Sequence, residues 1–299
     1  MMPIRQEAVG RVLVVTIDNP RVRNAFDKMT CDTLRAIFDG VAFRDALPVD
    51  APDAQDAQDA PDIGPQGRYR PHAIVLRATG PVFCAGAHLG EMKSLGQADY
   101  QTNLAAAMDM GGMFRAVRTC PVPVVARVQG PAYGGGVGLV AACDIVVAGP
   151  AAKFAFSEVR LGLVPGVISP LVIGRLGQAA ARHYFLTGDA MAADEALRLG
   201  LVDRLATTQE ELDGELNAVI DSLLKGGAAA LSLCKSLLEG AESLGFNRSA
   251  ELCARMIAEA RTGGEGQAAL AAFAAKEKAP WLSETNWPGV PATPEEGTE

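Results

Sequence analysis

Three consecutive glycines, Gly134, Gly135 and Gly136, follow the apolar run Pro123-Val-Val-Ala-Arg-Val128 and precede an apolar segment that reads as a helix. That order predicts a strand-to-helix turn. Glycine lets the backbone turn sharply and lets a ligand approach the main chain. A helix starting there points unsatisfied N–H groups and its positive dipole end outward. Such groups suit an anion, or an oxygen that becomes negative during a reaction. No Lys-Ser or Lys-Thr follows, so this is not a Walker loop. Nor is it a G-x-G-x-x-G fingerprint early in a βαβ unit. A tight turn between buried elements is the plain alternative, and the glycines alone leave both open.

Other reactive side chains narrow the chemistry. The three histidines (His72, His88, His183) stand at unrelated spacings, which argues against a histidine-based metal site. No Ser/His/Asp arrangement is visible. The six cysteines are scattered without a C-x-x-C pair and read as reduced core thiols of a cytoplasmic protein. The opening residues carry no apolar core of a signal peptide, and no apolar run matches a bilayer span. A net charge of −8 argues against nucleic acid or an anionic membrane surface as partner.

The elements that must hold these residues follow from pattern. With 299 residues, 49% of them hydrophobic, the chain can fill a large core. Strands are expected at 11–17, 73–78, 123–128 and 145–148, and a short extended stretch at 153–158. Helices are expected at 28–43, capped by Asp27 or Thr30, and at 100–117. From Gly177 the pattern is helical only, with segments near 178–186, 190–198, 208–224, 227–243, 247–262 and 266–276. An α/β core followed by a helical module is the fold class this implies. Residues 45–70 are acidic and poor in large apolar groups, so they read as a mobile surface insertion, of which 46–66 can be deleted. The stretch 281–299 reads as an extended tail.

Five short motifs, in order, carry a resemblance. They are Pro20-x-x-x-Asn24-Ala25, Phe83-Cys-Ala-Gly-Ala87, Gly134-Gly-Gly136 with Ala142-Cys-Asp-Ile145, Phe154-x-x-x-Glu158 with Leu161-Gly-Leu-Val-Pro-Gly166, and Ala272-Phe273-x-x-Lys276 running to Trp281. Together they resemble the crotonase, or enoyl-CoA hydratase/isomerase, superfamily over about residues 11–281. The resemblance implies a spiral of ββα units over 1–200, a C-terminal helical region over 201–280 that builds a homotrimer or a hexamer of two trimers, and an acyl-CoA ligand. Coenzyme A would come with the substrate, with no separate cofactor. By position, the N–H groups of Ala87 and Gly135 would form an oxyanion hole and Glu158 would move protons. Arg23, Ala25, Ala85, His88, Leu89, Gly134 and Lys276 would bind the substrate, Lys276 across a subunit boundary.

One position departs from the pattern. Many hydratases of this superfamily carry a second glutamate where this chain has Gly138. Hydration across C2=C3 divides easily between two carboxylates, whereas one must otherwise do both steps. Moving a double bond from C3=C4 to C2=C3 needs one base only. The motifs around 134–144 and 155–170 resemble bacterial methylglutaconyl-CoA-type hydratases, which look like a single-glutamate branch. The reading is therefore a hydratase, with Δ3-Δ2 isomerase as the alternative. Arg160 would suit a substrate with a second carboxylate, though a surface or interface role is simpler. Asp144 reads as a cap or core hydrogen-bond partner, and Cys84 and Cys143 as buried, unreactive thiols.

Overall fold

The computed structural model describes residues 3–42, 63–64, 68–69, 71–283 and 287–292. The expected insertion at 45–70 lies outside the described residues except for two short strands, β3 (Ile63–Gly64) and β4 (Arg68–Tyr69), paired antiparallel. The stretch expected to be dispensable, 46–66, lies outside the described residues apart from Ile63 and Gly64.

A six-stranded sheet is the frame of the fold. Its order is β1 (Ile4–Val9), β2 (Val12–Ile17), β5 (Ala73–Ala78), β6 (Val124–Val128), β8 (Ile145–Ala148) and β11 (Arg204–Leu205). Only the β1–β2 pair is antiparallel; the rest run parallel. Strands in such a sheet are buried on both faces, which is why 12–17 and 73–78 read as near-continuous apolar runs. Alternation still sorts their side chains. Leu13, Val15, Ile74, Leu76, Ala126 and Val146 face one core, with α1 (Lys28–Ala42), α3 (Tyr100–Arg118), α4 (Gly135–Ala142) and α5 (Ser169–Thr187) supplying its other residues. Val12, Val14, Val75, Val125 and Val147 face a second core, closed by α7 (Glu211–Leu224) through Leu212, Leu216, Val219 and Ile220. A smaller sheet, β10 (Ala190–Ala192), β9 (Lys153–Ala155) and β7 (Ala132–Tyr133), stands beside the first.

Several sequence expectations need correction. The region after Gly177 is not helical only, because β10 joins the small sheet and β11 is an edge of the large one. Both strands are too short to show a two-residue period. The segments expected at 227–243 and 247–262 are one helix, α8 (Ala228–Thr262). Gly245 between them costs only about 1 kcal/mol in a helix interior, too little to end it. Glu158 is not in an extended stretch: β9 stops at Ala155, and Ser157–Leu161 form a 3-10 turn. Of the six cysteines, Cys234 is exposed and Cys253 half-buried, so only four are core thiols. Of the expected extended tail, the described residues 287–292 carry neither helix nor strand. Trp287 and Val290 pack on the second core, both held by Asn217 Oδ1 at 3.1 Å. Between α5 and α7 lies α6 (Ala193–Leu199), and α8 folds back on α9 (Gly264–Ala275). No single helix among the described residues is long and apolar enough to cross a membrane.

Candidate active site

The glycine turn forms where the strand and helix patterns meet. Tyr133 N donates to Cys84 O at 2.9 Å and Gly134 N to Ala155 O at 2.9 Å, so β7 fastens the turn to both flanking segments. Gly134 has φ +48° and ψ −117°, a conformation open in practice only to glycine. A Cβ there would also lie 2.9 Å from Glu158 Oε1. Gly135 then opens α4 with its N–H directed away from the helix ladder.

The Phe83–Ala87 segment runs alongside. Ala85 N donates to Arg23 O (2.9 Å), Phe26 N to Gly86 O (2.7 Å) and His88 N to Phe26 O (2.7 Å). This parallel bridge leaves Ala87 N–H on the opposite side, and among the described residues it donates no hydrogen bond. The close approach is set by Gly86 (φ +84°), whose Cβ would sit 2.8 Å from Tyr133 O and 3.5 Å from Gly135 N. Buried Asn24 ties the opening motif to this segment. Its Nδ2 donates to Thr79 O and Val82 O at 2.8 Å, and its Oδ1 accepts from Asn19 N at 2.8 Å.

Ala85, Ala87, Gly134, Gly135 and Glu158 all line one cavity of about 250 Å³. Tyr133, Ser157, Met92 and Met110 join them, with Leu161, Leu163, Val164 and Ile168 from the stretch after Glu158. Among the described residues, Glu158 is the single carboxylate in this lining, and the lining has no Lys, Arg or His. Leu163 N donates to Glu158 O at 2.9 Å and fixes the turn. Its Oε2 is buried without a hydrogen-bond partner. Burial pushes the carboxyl above its ordinary value, a shift its own backbone N–H partly offsets.

The other expected binding residues lie outside the lining. Arg23 is exposed, Ala25 is buried beside Asn24, and Leu89 projects into solvent. His88 caps α2 (Leu89–Leu95), with its Nδ1 accepting from Gly90 N at 3.2 Å. Lys276 ends α9 in a left-handed conformation, φ +60°. Arg160 pairs with Asp189 at 3.1 Å on the surface and is not among the lining residues. Asp144 is a core partner as expected: its Oδ2 accepts from Val124 N and from buried Lys235 Nζ, both at 2.7 Å. Burial pushes the Cys84 and Cys143 thiols up to about 12, far from thiolate chemistry. Sequence reasoning missed the roles of Asn24 and Ile168, since a buried amide and one aliphatic in an apolar loop carry no periodic signal.

Ala87, Gly135 and a half-buried carboxylate lining one largely apolar cavity suit chemistry in which a carbonyl oxygen gains charge. Known proteins resemble this chain in sequence and in fold. Residues 68–284 match the enoyl-CoA hydratase/isomerase family. A Thermus thermophilus protein named as an enoyl-CoA hydratase is 34% identical over 201 residues, covering 67% of this chain and 79% of that one. The structure of a Marinobacter aquaeolei enoyl-CoA hydratase/isomerase matches with a TM-score of 0.81 and 29% identity, over 93% of this chain and 98% of its own. An enoyl-CoA hydratase from Shewanella pealeana gives a TM-score of 0.80 at 29% identity, over 93% and 96%. With the motif order, the sheet topology and these likenesses in agreement, the chain belongs to the enoyl-CoA hydratase/isomerase family and has the crotonase fold.

Proposed function

We propose that the protein is an enoyl-CoA hydratase that uses Glu158 alone for both proton transfers. The observation that carries this reading is the unpaired Glu158 Oε2 in a cavity it shares with Ala87 and Gly135. The thioester oxygen would lie between the Ala87 and Gly135 N–H groups, which stabilise the enolate as it forms. Removing one such donor typically costs about 10²–10³ in rate. Glu158 takes a proton from water as the oxygen attacks C3, then returns a proton to C2. Water is added and no other group is consumed. The substrate supplies its own coenzyme A, so no further cofactor enters the scheme.

A cavity of about 250 Å³ accommodates an acyl group but not coenzyme A, since pockets for whole drug-sized ligands run to about 300–1,000 Å³. The nucleotide would therefore lie outside. Arg23 and Lys276 are exposed cations available for its phosphates, Lys276 from a neighbouring subunit of a trimer. Ala25, His88 and Leu89 would flank the pantetheine arm. The lining of Met110, Leu161, Leu163 and Val164, with no Lys, Arg or His in it among the described residues, supports an uncharged, branched acyl chain over a methylglutaconyl one.

The second reading is a Δ3-Δ2 enoyl-CoA isomerase. The lone carboxylate favours it, since one base can take a proton from C2 and return it to C4. Turnover of a panel of 2-enoyl-, 3-enoyl- and 3-methylglutaconyl-CoA substrates by the pure protein separates the readings. A hydratase adds water to the 2-enoyl thioesters. Activity confined to the 3-enoyl thioesters would make the isomerase reading correct.

A further inference from the structure

We infer that Ile168 is a specificity-determining residue: it fills the place of a side chain at residue 138 and thereby holds the site to one carboxylate. This rests on Glu158 as the proton-transfer group.

Gly138 lies in the first turn of α4, buried behind Gly135. A Cβ there would fall 2.1 Å from Ile168 Cγ2 and 2.9 Å from Ile168 Cβ, with Phe114 Cζ at 3.3 Å. No real Cβ tolerates the first two contacts, and both come from one residue. Ile168 is itself 3% exposed and lines the cavity with Gly135 and Glu158. It cannot swing aside easily. Its carbonyl accepts from Val172 N at 3.1 Å to start α5, and a β-branched side chain has few alternative rotamers. The space a second acid would need is thus taken by an aliphatic group from a different element.

The consequence concerns water. In hydration, the water oxygen bonds to C3, one of its protons passes to Glu158, and a proton passes from Glu158 to C2. In double-bond migration, Glu158 carries a proton from C2 to C4 and no water takes part. A bound water needs two to four polar partners. Ile168 supplies none, so Glu158 is the one carboxylate left to hold and activate that water, while migration is unaffected. Ile168 sets the ratio of the two reactions.

The test uses the full chain with Gly138→Ala, Gly138→Glu and Ile168→Gly, singly and combined. Overpacking should lower the melting temperature of Gly138→Ala by at least about 4 °C, and Ile168→Gly should cancel most of that drop in the double variant. The ratio of water addition on a 2-enoyl-CoA to migration on a 3-enoyl-CoA should rise at least about tenfold in Gly138→Glu/Ile168→Gly over Ile168→Gly alone. Gly138→Ala melting with the parent overturns the proposal. So does a folded Glu/Gly double variant whose ratio is unchanged. If that double variant does not fold, the Ala/Gly melting cycle decides. Glu158→Gln is assayed in parallel on the parent. If it keeps both activities, the acid–base reading fails, an outcome distinct from a failed melting cycle.

Discussion

Glu158 is the group on which most of the chemistry converges, and its surroundings make it testable twice. Replacing it by glutamine removes the acid–base function, so turnover should fall by about 10²–10⁴. Acyl-CoA binding, followed by calorimetry, should persist because the Ala87 and Gly135 donors are main-chain groups. Retention of more than a tenth of parental kcat would sink the single-glutamate mechanism. The second test is stability. The folded carboxyl is held above its ordinary value of 4.5 by burial, so the folded chain keeps this proton more tightly than the unfolded one. Its contribution to stability is fullest below that ordinary value and is lost as pH rises toward the folded one. Glu158→Gln should therefore melt above the parent near pH 7 and close to it near pH 4, values chosen on either side of about 4.5. Equal melting temperatures across that range would mean the carboxylate is adequately solvated.

At the scale of elements, the glycine turn carries the site, and Asp144, just after α4, ties β6 to α8. Gly134→Ala would place a Cβ in a region of φ closed to it and against Glu158 Oε1. Strain of about 1–3 kcal/mol is expected, together with a drop in kcat of up to about 10², the scale set by a carboxylate displaced by about 1 Å. Circular dichroism melts and steady-state rates check the two parts separately. Below α4, Asp144 joins Val124 N to Lys235 of α8, a lysine that is 8% exposed. Asp144→Ala would leave that ammonium buried without a counter-charge, with Val122 O at 3.2 Å as its remaining acceptor, and breaking a buried pair typically costs about 3–5 kcal/mol. A urea midpoint within error of the parent would show that Lys235 finds water or another acceptor. Asp144 was legible as structural from its place after the glycines. Its partner, 91 residues away, was not.

For the whole molecule, two surfaces matter. Residues 287–292 lie over the second core, where Arg77, itself 2% exposed, donates to Pro291 O and, at 2.9 Å, to Thr16 Oγ1. Truncation before Trp287 should cost more than about 2 kcal/mol, a large effect by the standard of single-site changes, read from the urea midpoint. No change would mean the tail is dispensable. The second surface is on α8 and α9, where Leu238, Leu270 and Phe273 are 70%, 54% and 82% exposed. Apolar side chains in such numbers suit an association surface. A trimer, or a hexamer of two, is the expected state in light scattering, and a stable monomer at micromolar concentration would refute it.

Local order was set by the residues themselves. The buried strands at 73–78 and 145–148 and the helix capped by Asp27 are short-range consequences of β-branching and capping. The glycine turn and the family motifs likewise marked Ala87, Gly135 and Glu158 before any geometry was known, because main-chain chemistry leaves a signature in where side chains are missing. Folding alone brought those three segments to one cavity, turned Glu158 inward from a 3-10 turn, and put Ile168 into the space beside Gly138. Nothing in a one-dimensional pattern states which distant side chain fills the space above a glycine. That is decided by close packing, which lets each volume be occupied once.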